Sequence, residues 1–433
     1  MQVNHLKSIL ARLSPQGVNR HIASIASGTV AGQVVVFAMS PILTRLYSPD
    51  DFGIYSYILG LASFTAVVIG LRLDLAILVA ETDEEAGRIA RIALLAATLL
   101  SLLCGVGIAL FGGDIDRTSS LNLMPWLWLL PPIVWTLACY TILSQLSVRC
   151  RDYKAVAVRS FTQNLTMAAV QLAWPFGRSP AGLLVGQVCG RLLSSIELAR
   201  RNRLSLFVAR PFAGWRVSAR RFWRFPVLVT PSAALNILGT LLPLFILGAW
   251  FGADTAGQFG IAQQVVAVPA ALLGVAISQV FMGEFSSRYR AGNRDNRSGY
   301  LAATKRLSLV AAPITLGLLL LSPWVFPFVF GDQWSEAGLF AQAMSISTGV
   351  GFVVSPLSQV FFVYERIWQI VLVDALRIPF VGGAALVVHA QGVGPTGTLW
   401  AMYTGQVAIY ALTWIMGLRI VSSQRIHPEP LPQ

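Results

Sequence analysis

The stretch PILTRLYSPDDFGIYSYILGLASFTAVVIGLRLD, residues 41–74, decides the fold class. The cluster Ser48-Pro49-Asp50-Asp51 is typical of a turn, because proline presets φ and aspartate bonds the nearby backbone. The run that follows, 52–71, has 20 residues without a charge. As a helix it is about 30 Å long, which matches the hydrocarbon core of a bilayer. The stretch therefore predicts two membrane helices joined by a tight polar turn.

The composition of the whole chain is that of a membrane protein. Of its 433 residues, 55% are hydrophobic and 12% are charged, about half the charged fraction of a soluble domain, and the mean hydropathy is +0.66. The net charge of +13 comes from basic residues in short connections, which argues against a nucleic-acid-binding domain. The cysteines have no ligand or disulfide spacing and are expected to be small buried hydrophobes: Cys104, Cys139, Cys150 and Cys189.

Apolar runs long enough to span a membrane occur twelve times, at 22–43, 53–71, 89–111, 124–147, 160–177, 181–199, 226–251, 258–282, 307–329, 337–363, 369–389 and 397–417. The first run is too long for the apolar core of a signal peptide, so it is expected to be an uncleaved span. With the N-terminus inside, 26 of the 32 basic residues fall in inner connections and three in outer ones. Because lysine and arginine collect on the cytoplasmic side, both termini are predicted to be cytoplasmic.

An internal repeat predicts how these spans are organised. The pattern Asp50-x-x-Gly53-x-Tyr55 after the first span recurs as Asp254-x-x-Gly257-x-Phe259 after the seventh, at an offset of 204 residues. Spans one and seven run in the same direction, so the halves are related by an axis along the membrane normal. We expect an all-α integral membrane protein with two parallel-repeat six-helix bundles around a central cavity, 1–225 and 226–433.

The basic connection at the end of the first half, 200–225, carries eight arginines interleaved with leucine, phenylalanine and tryptophan. Such a segment can lie at the membrane interface and gather anionic lipid headgroups. It can equally be a basic linker with aromatic anchors that joins two bundles. The sequence favours the linker.

Three arginines, Arg72, Arg191 and Arg377, lie within or at the edge of spans. Each costs about 2.5–3.5 kcal/mol at a helix centre, so apolar packing alone does not retain them. We expect them to line a water-filled cavity and bind phosphate, which suits the planar guanidinium; interhelical ion pairing and snorkelling are the structural alternatives. Further cavity residues that can meet sugar hydroxyls or merely join helices are Gln33, Asn236, Gln263, Gln264 and Gln279.

Intramembrane carboxylates are few. Asp74 and Asp374 are candidates for ion coupling or charge pairing, and Glu197 is expected to pair with Arg200 and Arg201 beside it. No nucleotide-binding, zinc-protease or serine-hydrolase motif occurs, and the four histidines lack ligand spacing. The sequence therefore predicts a transporter and not an enzyme, with no metal or cofactor beyond a coupling ion, H⁺ or Na⁺.

The run 41–77, the segment Arg149-Cys-Arg-Asp-Tyr-Lys and the turn Phe330-Gly-Asp-Gln-Trp together resemble the polysaccharide-export flippases of the multidrug/oligosaccharidyl-lipid/polysaccharide superfamily. The resemblance implies alternating-access transfer of undecaprenyl-pyrophosphate-linked oligosaccharide across the bacterial cytoplasmic membrane, without ATP hydrolysis, for surface polysaccharide export. It implies as partners the lipid-linked saccharide, membrane lipids and other export proteins. The family's RxD at the inner end of span two is Arg72-Leu73-Asp74 here, and its cationic cavity extends the resemblance to Arg191; Arg377 matches no family motif.

Three alternatives differ in what they require. A cation-coupled drug or toxin exporter of the same superfamily tends to bury acidic groups, whereas the excess here is basic. A membrane-embedded glycan ligase or polymerase needs a large outer loop with arginines, and the predicted outer connections are short. A membrane scaffold that transports nothing does not require charged residues deep within its spans.

Overall fold

The computed structural model describes residues 15–118, 121–150, 152–174, 179–202, 220–266, 296–364 and 366–423. Within these ranges the chain is helical and contains no β-strand. It divides into two compact units, Met1–Ala234 and Leu235–Gln433. Their boundary lies in the first turns of a helix, a few residues after the predicted boundary between 225 and 226.

In the part of the N-terminal unit that the structure describes, the helices before residue 203 are α1 Pro15–Leu46, α2 Pro49–Ile69, α3 Leu73–Val79, α4 Asp83–Thr118, α5 Met124–Leu127, α6 Leu130–Arg149, α7 Tyr153–Ala173 and α8 Pro180–Arg201. Helix α7 packs against α1 and α8, while α6 packs against α2, α3, α4 and α8. Helix α6 is therefore the central helix of this unit, which agrees with the burial of Leu130, Ile133, Val134, Ile142 and Leu146 along it.

A π-helical turn, Phe225–Val229, leads into α9, Thr230–Phe251, which crosses the boundary between the units. The remaining elements are α10 at 253–266, α11 Asn296–Phe330, a 3₁₀ turn Asp332–Trp334, α12 Ser335–Leu357, α13 Val360–Val363, α14 Ile367–His389 and α15 Pro395–Ser423. Helix α12 packs against α11 and α15, and α14 packs against α15. Gln258 joins α10 to α12, because its amide donates to the Gln333 carbonyl at 2.7 Å and accepts from the Ala337 backbone at 3.0 Å.

The helices agree with the predicted spans. Eleven of the twelve runs coincide with helices in the described ranges, and the eighth, 258–282, lies mostly outside them. Within the described part, nine helices are long and apolar enough to cross a membrane, and Ala31–Leu46 of α1 is a shorter apolar segment. Helix α7 is less apolar because one face carries Arg159, Gln163 and Gln171. The protein is thus an all-α, multi-pass membrane protein.

The polar cluster at 48–51 begins a helix as well as ending one. Ser48 is the N-cap of α2: its hydroxyl accepts from the Asp51 backbone N–H at 3.2 Å, and the Asp51 carboxylate accepts from the Ser48 backbone at 3.0 Å. This capping box satisfies two backbone donors that a helix end leaves unpaired. The second copy of the repeat also begins a helix, since α10 starts at 253, 204 residues after Pro49. The internal repeat is therefore visible in the helix boundaries.

Candidate functional site

The second predicted span does not run straight into Asp74. Helix α2 ends at Ile69, and Leu71 and Arg72 both adopt φ of +50° before α3 begins. Left-handed backbone at two consecutive non-glycine residues is strained and is retained only where the surroundings fix it. The break turns the chain so that Asp74 is buried in the first turn of α3. The Arg72-Leu73-Asp74 motif thus lies on a kink, which its sequence does not signal.

The Arg72–Asp74 pair is loose. The Arg72 Nη1 to Asp74 Oδ2 distance is 4.0 Å, with 32% of the arginine side chain exposed and 9% of the aspartate. Arg72 Nε is buried and has no hydrogen-bond partner in the described part of the chain. Arg72 therefore keeps unused hydrogen-bonding capacity next to a buried carboxylate.

Arg149, at the end of α6, holds the far end of α3. Its Nη1 donates to the carbonyls of Ala80 at 2.8 Å and Ile77 at 3.2 Å, and its Nε donates to Asp83 Oδ1 at 3.2 Å. A cation at a helix C-terminus satisfies carbonyls that have no partner within the helix and complements the helix dipole. The sequence indicated Arg149 as part of the segment that carries the family resemblance, but it did not predict this positioning role.

Helices α7 and α8 approach each other closely along a stripe of small residues, Gly182, Gly186, Gly190 and Ser194, spaced four apart. A Cβ at Gly190 would lie 2.6 Å from the Gln163 carbonyl oxygen, and Ser194 Oγ donates to the Arg159 carbonyl at 3.3 Å. Small residues at this spacing permit close helix packing in membranes. The spacing is a signal in the sequence that the prediction of the spans did not use.

The next stripe of α8 carries Gln187 and Arg191, which face α2 and α6. Gln187 Nε2 donates to Tyr55 Oη of α2, and the guanidinium of Arg191 lies close enough to Tyr55 and to Tyr140 of α6 to interact electrostatically with both. The Nη1 atom of Arg191 is buried and has no hydrogen-bond partner among the described residues. Those residues also provide no carboxylate within ion-pair distance of it. Arg191 is therefore an uncompensated charge among helices of the N-terminal unit.

Glu197 does not pair with Arg200 or Arg201, so that expectation is wrong. Its carboxylate forms an ion pair with Arg159 of α7, while Arg201 pairs with Asp152 at 3.0 Å. Arg200 and Arg201 lie at i+3 and i+4, close enough to meet Glu197, but Arg159 takes its carboxylate across the α7–α8 contact and Arg201 is held by Asp152. Glu197 is hence a paired interface residue, with a different partner from the expected one.

In the C-terminal unit, the i, i+3 pair on α14 forms as its spacing predicts. Arg377 Nη2 lies 3.4 Å from Asp374 Oδ1, and Asn236 Nδ2 of α9 donates to Asp374 Oδ2 at 3.4 Å. A Cβ at Gly239 of α9 would be in ordinary van der Waals contact with Arg377 Cδ, at 3.4 Å. The structure thus brings Asn236, Asp374 and Arg377 together, and the charge of Arg377 is balanced where that of Arg191 is not.

Of the remaining predicted residues, the structure describes Gln33, Gln263 and Gln264. Gln33 is half-buried on α1 next to Gly32, which packs on Ser160 and Asn164 of α7. Gln264 is half-buried on α10, whereas Gln279 lies outside the described residues. Within the described part, no group of three or more histidine, cysteine, aspartate or glutamate residues is arranged to hold a metal ion.

The turn between α3 and α4 forms a second charged cluster, away from the apolar spans. Arg221 donates from Nη2 to Glu81 Oε1 at 2.6 Å and from Nη1 to Glu85 Oε1 at 3.5 Å. The hydrogen bond and the positive charge of Arg221 lower the pKa of Glu81 below its ordinary value. Arg221 belongs to the basic connection 200–225, of which 203–219 lies outside the described residues, so both interpretations of that connection stay predictions.

Comparison with known proteins gives a family and a fold. A model of the family described as polysaccharide biosynthesis protein matches residues 42–338. The succinoglycan biosynthesis transport protein ExoT of Rhizobium meliloti (strain 1021) is 22% identical over 325 residues, which cover 72% of this chain and 63% of ExoT. Across the curated relatives it matches, this chain spans 29% to 63% of their length.

Two solved structures share the fold. An inward-facing multidrug resistance MATE family transporter of the MOP superfamily matches with a TM-score of 0.74 and 13% identity, covering 91% of this chain and 96% of that chain. The lipid II flippase MurJ in an inward closed conformation matches with a TM-score of 0.70 and 13% identity, covering 92% and 87%. The chain therefore belongs to the polysaccharide biosynthesis protein family and has the fold of the MOP-superfamily transporters.

Proposed function

We propose that this protein moves undecaprenyl-pyrophosphate-linked saccharide repeat units across the bacterial cytoplasmic membrane by alternating access, for surface polysaccharide export. The membership of the polysaccharide biosynthesis family and the transport protein ExoT among the relatives support a saccharide-related transporter. The likeness to MurJ supports a fold that can carry such an activity. The proposal adds the lipid carrier, the direction and the absence of nucleotide hydrolysis.

The observation that carries the proposal is Arg191. A charged guanidinium inside a membrane helix costs several kcal/mol unless a partner offsets it, and the described residues supply none within hydrogen-bond distance of Nη1. A ligand that brings negative charge into the N-terminal unit restores the balance. A pyrophosphate is such a ligand, since guanidinium hydrogen bonds to phosphate are charge-assisted and strong.

Arg72 and Arg377 are less directly involved in this proposal than Arg191. Arg72 contacts Asp74 only at 4.0 Å and keeps Nε unpartnered among the described residues, so it is a second contact for the headgroup. Arg377 is held by Asp374 at 3.4 Å, so it is less available to a ligand than Arg191. Asp74 and Asp374 are both candidates for any coupling to H⁺ or Na⁺.

Complementation in the native polysaccharide-producing strain tests the proposal. We expect deletion to abolish surface polysaccharide and to accumulate lipid-linked repeat units in the inner leaflet. At equal membrane abundance, Arg191→Ala should reproduce the deletion and Arg191→Lys should restore export in part, because lysine keeps the charge without the planar fork. Normal polysaccharide in the deletion strain would refute the assignment, and full export by Arg191→Ala would remove Arg191 from it.

A further inference from the structure

Helices α12 and α15 of the C-terminal unit carry polar side chains that have no hydrogen-bond partner among the described residues. Other hydroxyls on α15 bond the backbone in the usual way, since Thr404 and Thr413 each donate to the carbonyl four residues earlier at 2.8 Å. Unpaired polar groups within membrane-spanning helices are costly and need an explanation. Five of them lie along one helix contact and form a polar row: Ser347 and Thr348 of α12, and Tyr403, Gln406 and Tyr410 of α15.

The two helices run in the same direction at this contact. A Cβ at Gly351 of α12 would lie 2.9 Å from the hydroxyl oxygen of Tyr410, so these two residues lie at one level. Leu357, further along α12, and Ile420, further along α15, belong to one apolar cluster. Positions before Gly351 on α12 therefore lie beside positions before Tyr410 on α15.

The helical period places the polar row on the facing sides of α12 and α15. Ser347 and Thr348 precede Gly351 by about one turn and lie on the same face of α12. The three members on α15 follow one another at intervals of three and four residues and end at Tyr410, so they share its face. The polar row therefore extends over about two turns, with hydroxyls and an amide from both helices at adjacent levels.

The polar row lies away from the most exposed side of α15. That side is apolar, as a lipid-facing surface is, and carries Ala408, Ala411 and Ile415. The hydroxyl of Thr404, on the same side, is satisfied by its own helix. The polar atoms of the row are not completely enclosed by described residues, in contrast to the Ser195 hydroxyl of α8. They therefore border accessible space on the side of α15 that faces α12.

The polar row is uncharged, which limits the ligand that it can hold. The charged residues of α12 and α15 lie near the helix ends, Glu336 at the start of α12 and Arg419 near the end of α15. A phosphate is held by cationic donors and a metal ion by carboxylates or several carbonyl oxygens, and the polar row supplies neither set. Hydroxyl and amide groups both donate and accept, as sugar hydroxyls do. A tyrosine ring can also pack on the C–H face of a sugar.

We infer that the polar row binds hydroxyl groups of the transported saccharide and contributes to the choice of repeat unit. The site deepens the proposed function and rests on it, since the lipid-linked repeat unit is what brings sugar hydroxyls between the helices. The sugar is thus assigned to neutral side chains of the C-terminal unit, separately from the phosphate contact of Arg191 in the N-terminal unit. None of these side chains is among the glutamines and the asparagine that the sequence indicated as sugar contacts.

Binding by the full chain in lipid nanodiscs tests the site. The probes are undecaprenyl pyrophosphate carrying the repeat unit, extracted from the native strain, and undecaprenyl pyrophosphate without sugar. Tyr403→Phe/Tyr410→Phe removes two hydroxyls and keeps both rings, so it should weaken binding of the sugar-bearing lipid about tenfold. Binding of the lipid without sugar should not change. Gln406→Leu, an independent variant, should show the same selectivity with a smaller loss.

Tyr300→Phe is the matched control. It is the same substitution in the same unit, but the Tyr300 hydroxyl donates to the Trp414 carbonyl at 3.2 Å. Losing this bond should lower the unfolding temperature and leave binding of both lipids at the wild-type values. The double variant should unfold at a temperature no lower than the wild type, because the hydroxyls that it removes bond no described residue. An equal loss of sugar-bearing lipid binding in Tyr300→Phe would overturn the site.

The remaining outcomes separate the site from the proposed function. Wild-type affinity of the double variant for the sugar-bearing lipid would overturn the site and leave the proposed function standing. An equal loss for the lipid without sugar would also overturn the site, since the hydroxyls would then not act on the sugar. Failure of the wild type to bind either lipid would overturn both.

Discussion

Arg149 offers a quantitative test of how the α3 segment is held. Replacing it with alanine removes two partly buried hydrogen bonds, to Ala80 O at 2.8 Å and Ile77 O at 3.2 Å. Each such bond from a charged donor contributes about 1–1.5 kcal/mol at partial exposure. The ion pair to Asp83 adds little, because 88% of the Asp83 side chain is exposed. The expected loss of unfolding free energy is therefore about 2–3 kcal/mol.

The assay is equilibrium unfolding of the purified protein in mild detergent, with Arg88→Ala as the control. Arg88 is another arginine at the same end of the N-terminal unit, but its ion-pair partner among the described residues is Glu84, one turn away at 3.5 Å. Such a pair is worth about 0.3–0.5 kcal/mol. Arg149→Lys should recover less than half of the loss, since one ammonium cannot reach both carbonyls and the carboxylate. A loss for Arg149→Ala within about 0.5 kcal/mol of that for Arg88→Ala would refute the capping role.

Three further substitutions test other contacts. Gly190→Ala should sharply lower membrane abundance, because its Cβ would lie 2.6 Å from a backbone oxygen of α7. The control Gly107→Ala has nothing within 4 Å of the added Cβ and should be neutral or stabilising by about 1 kcal/mol. Equal membrane abundance of the two variants would contradict the close packing of α7 and α8. Gln258→Ala should cost about 2–4 kcal/mol of unfolding free energy, because it loses two hydrogen bonds at 2.7 and 3.0 Å and leaves the buried Ala337 N–H without this acceptor. A cost below about 1 kcal/mol would count against this. Because Arg221 lowers the pKa of Glu81, their contact should stabilise the protein above the ordinary glutamate pKa and be lost as pH falls through the lowered value. A thermal-stability profile across acidic pH should lose that step in Glu81→Gln, and an unchanged profile would exclude the contact.

Hydropathy predicted the helices, and the charges within apolar runs predicted the unusual arginines. Both signals can be taken from neighbouring residues of the sequence without knowledge of the packing. Arg191 stands out in any apolar run that contains it. Its surroundings could not be predicted, since Tyr55 and Tyr140 reach it from helices far away in the sequence. Glu197 illustrates the same limit: the nearest arginines along the chain were the expected partners, whereas its actual partner Arg159 comes from the neighbouring helix.

Some backbone features could likewise be predicted from the sequence and others could not. The side chains of Ser48 and Asp51 each accept a hydrogen bond from the backbone N–H of the other residue. Because this capping box depends on local residue types, the sequence predicts the start of the helix. The left-handed residues Leu71 and Arg72 are fixed by the packing of α3 against α4 and α6. No residue type at those positions indicates such a conformation.

The measurement that tests the central claim most directly is translocation in proteoliposomes. The purified chain would be reconstituted with undecaprenyl pyrophosphate bearing a fluorescent sugar, and transfer between leaflets would be followed by quenching from outside without nucleotide. We predict transfer by the wild type, none above protein-free vesicles by Arg191→Ala, and partial transfer by Arg191→Lys. Transfer by Arg191→Ala at the wild-type rate, or none by a correctly folded wild type, would contradict the account.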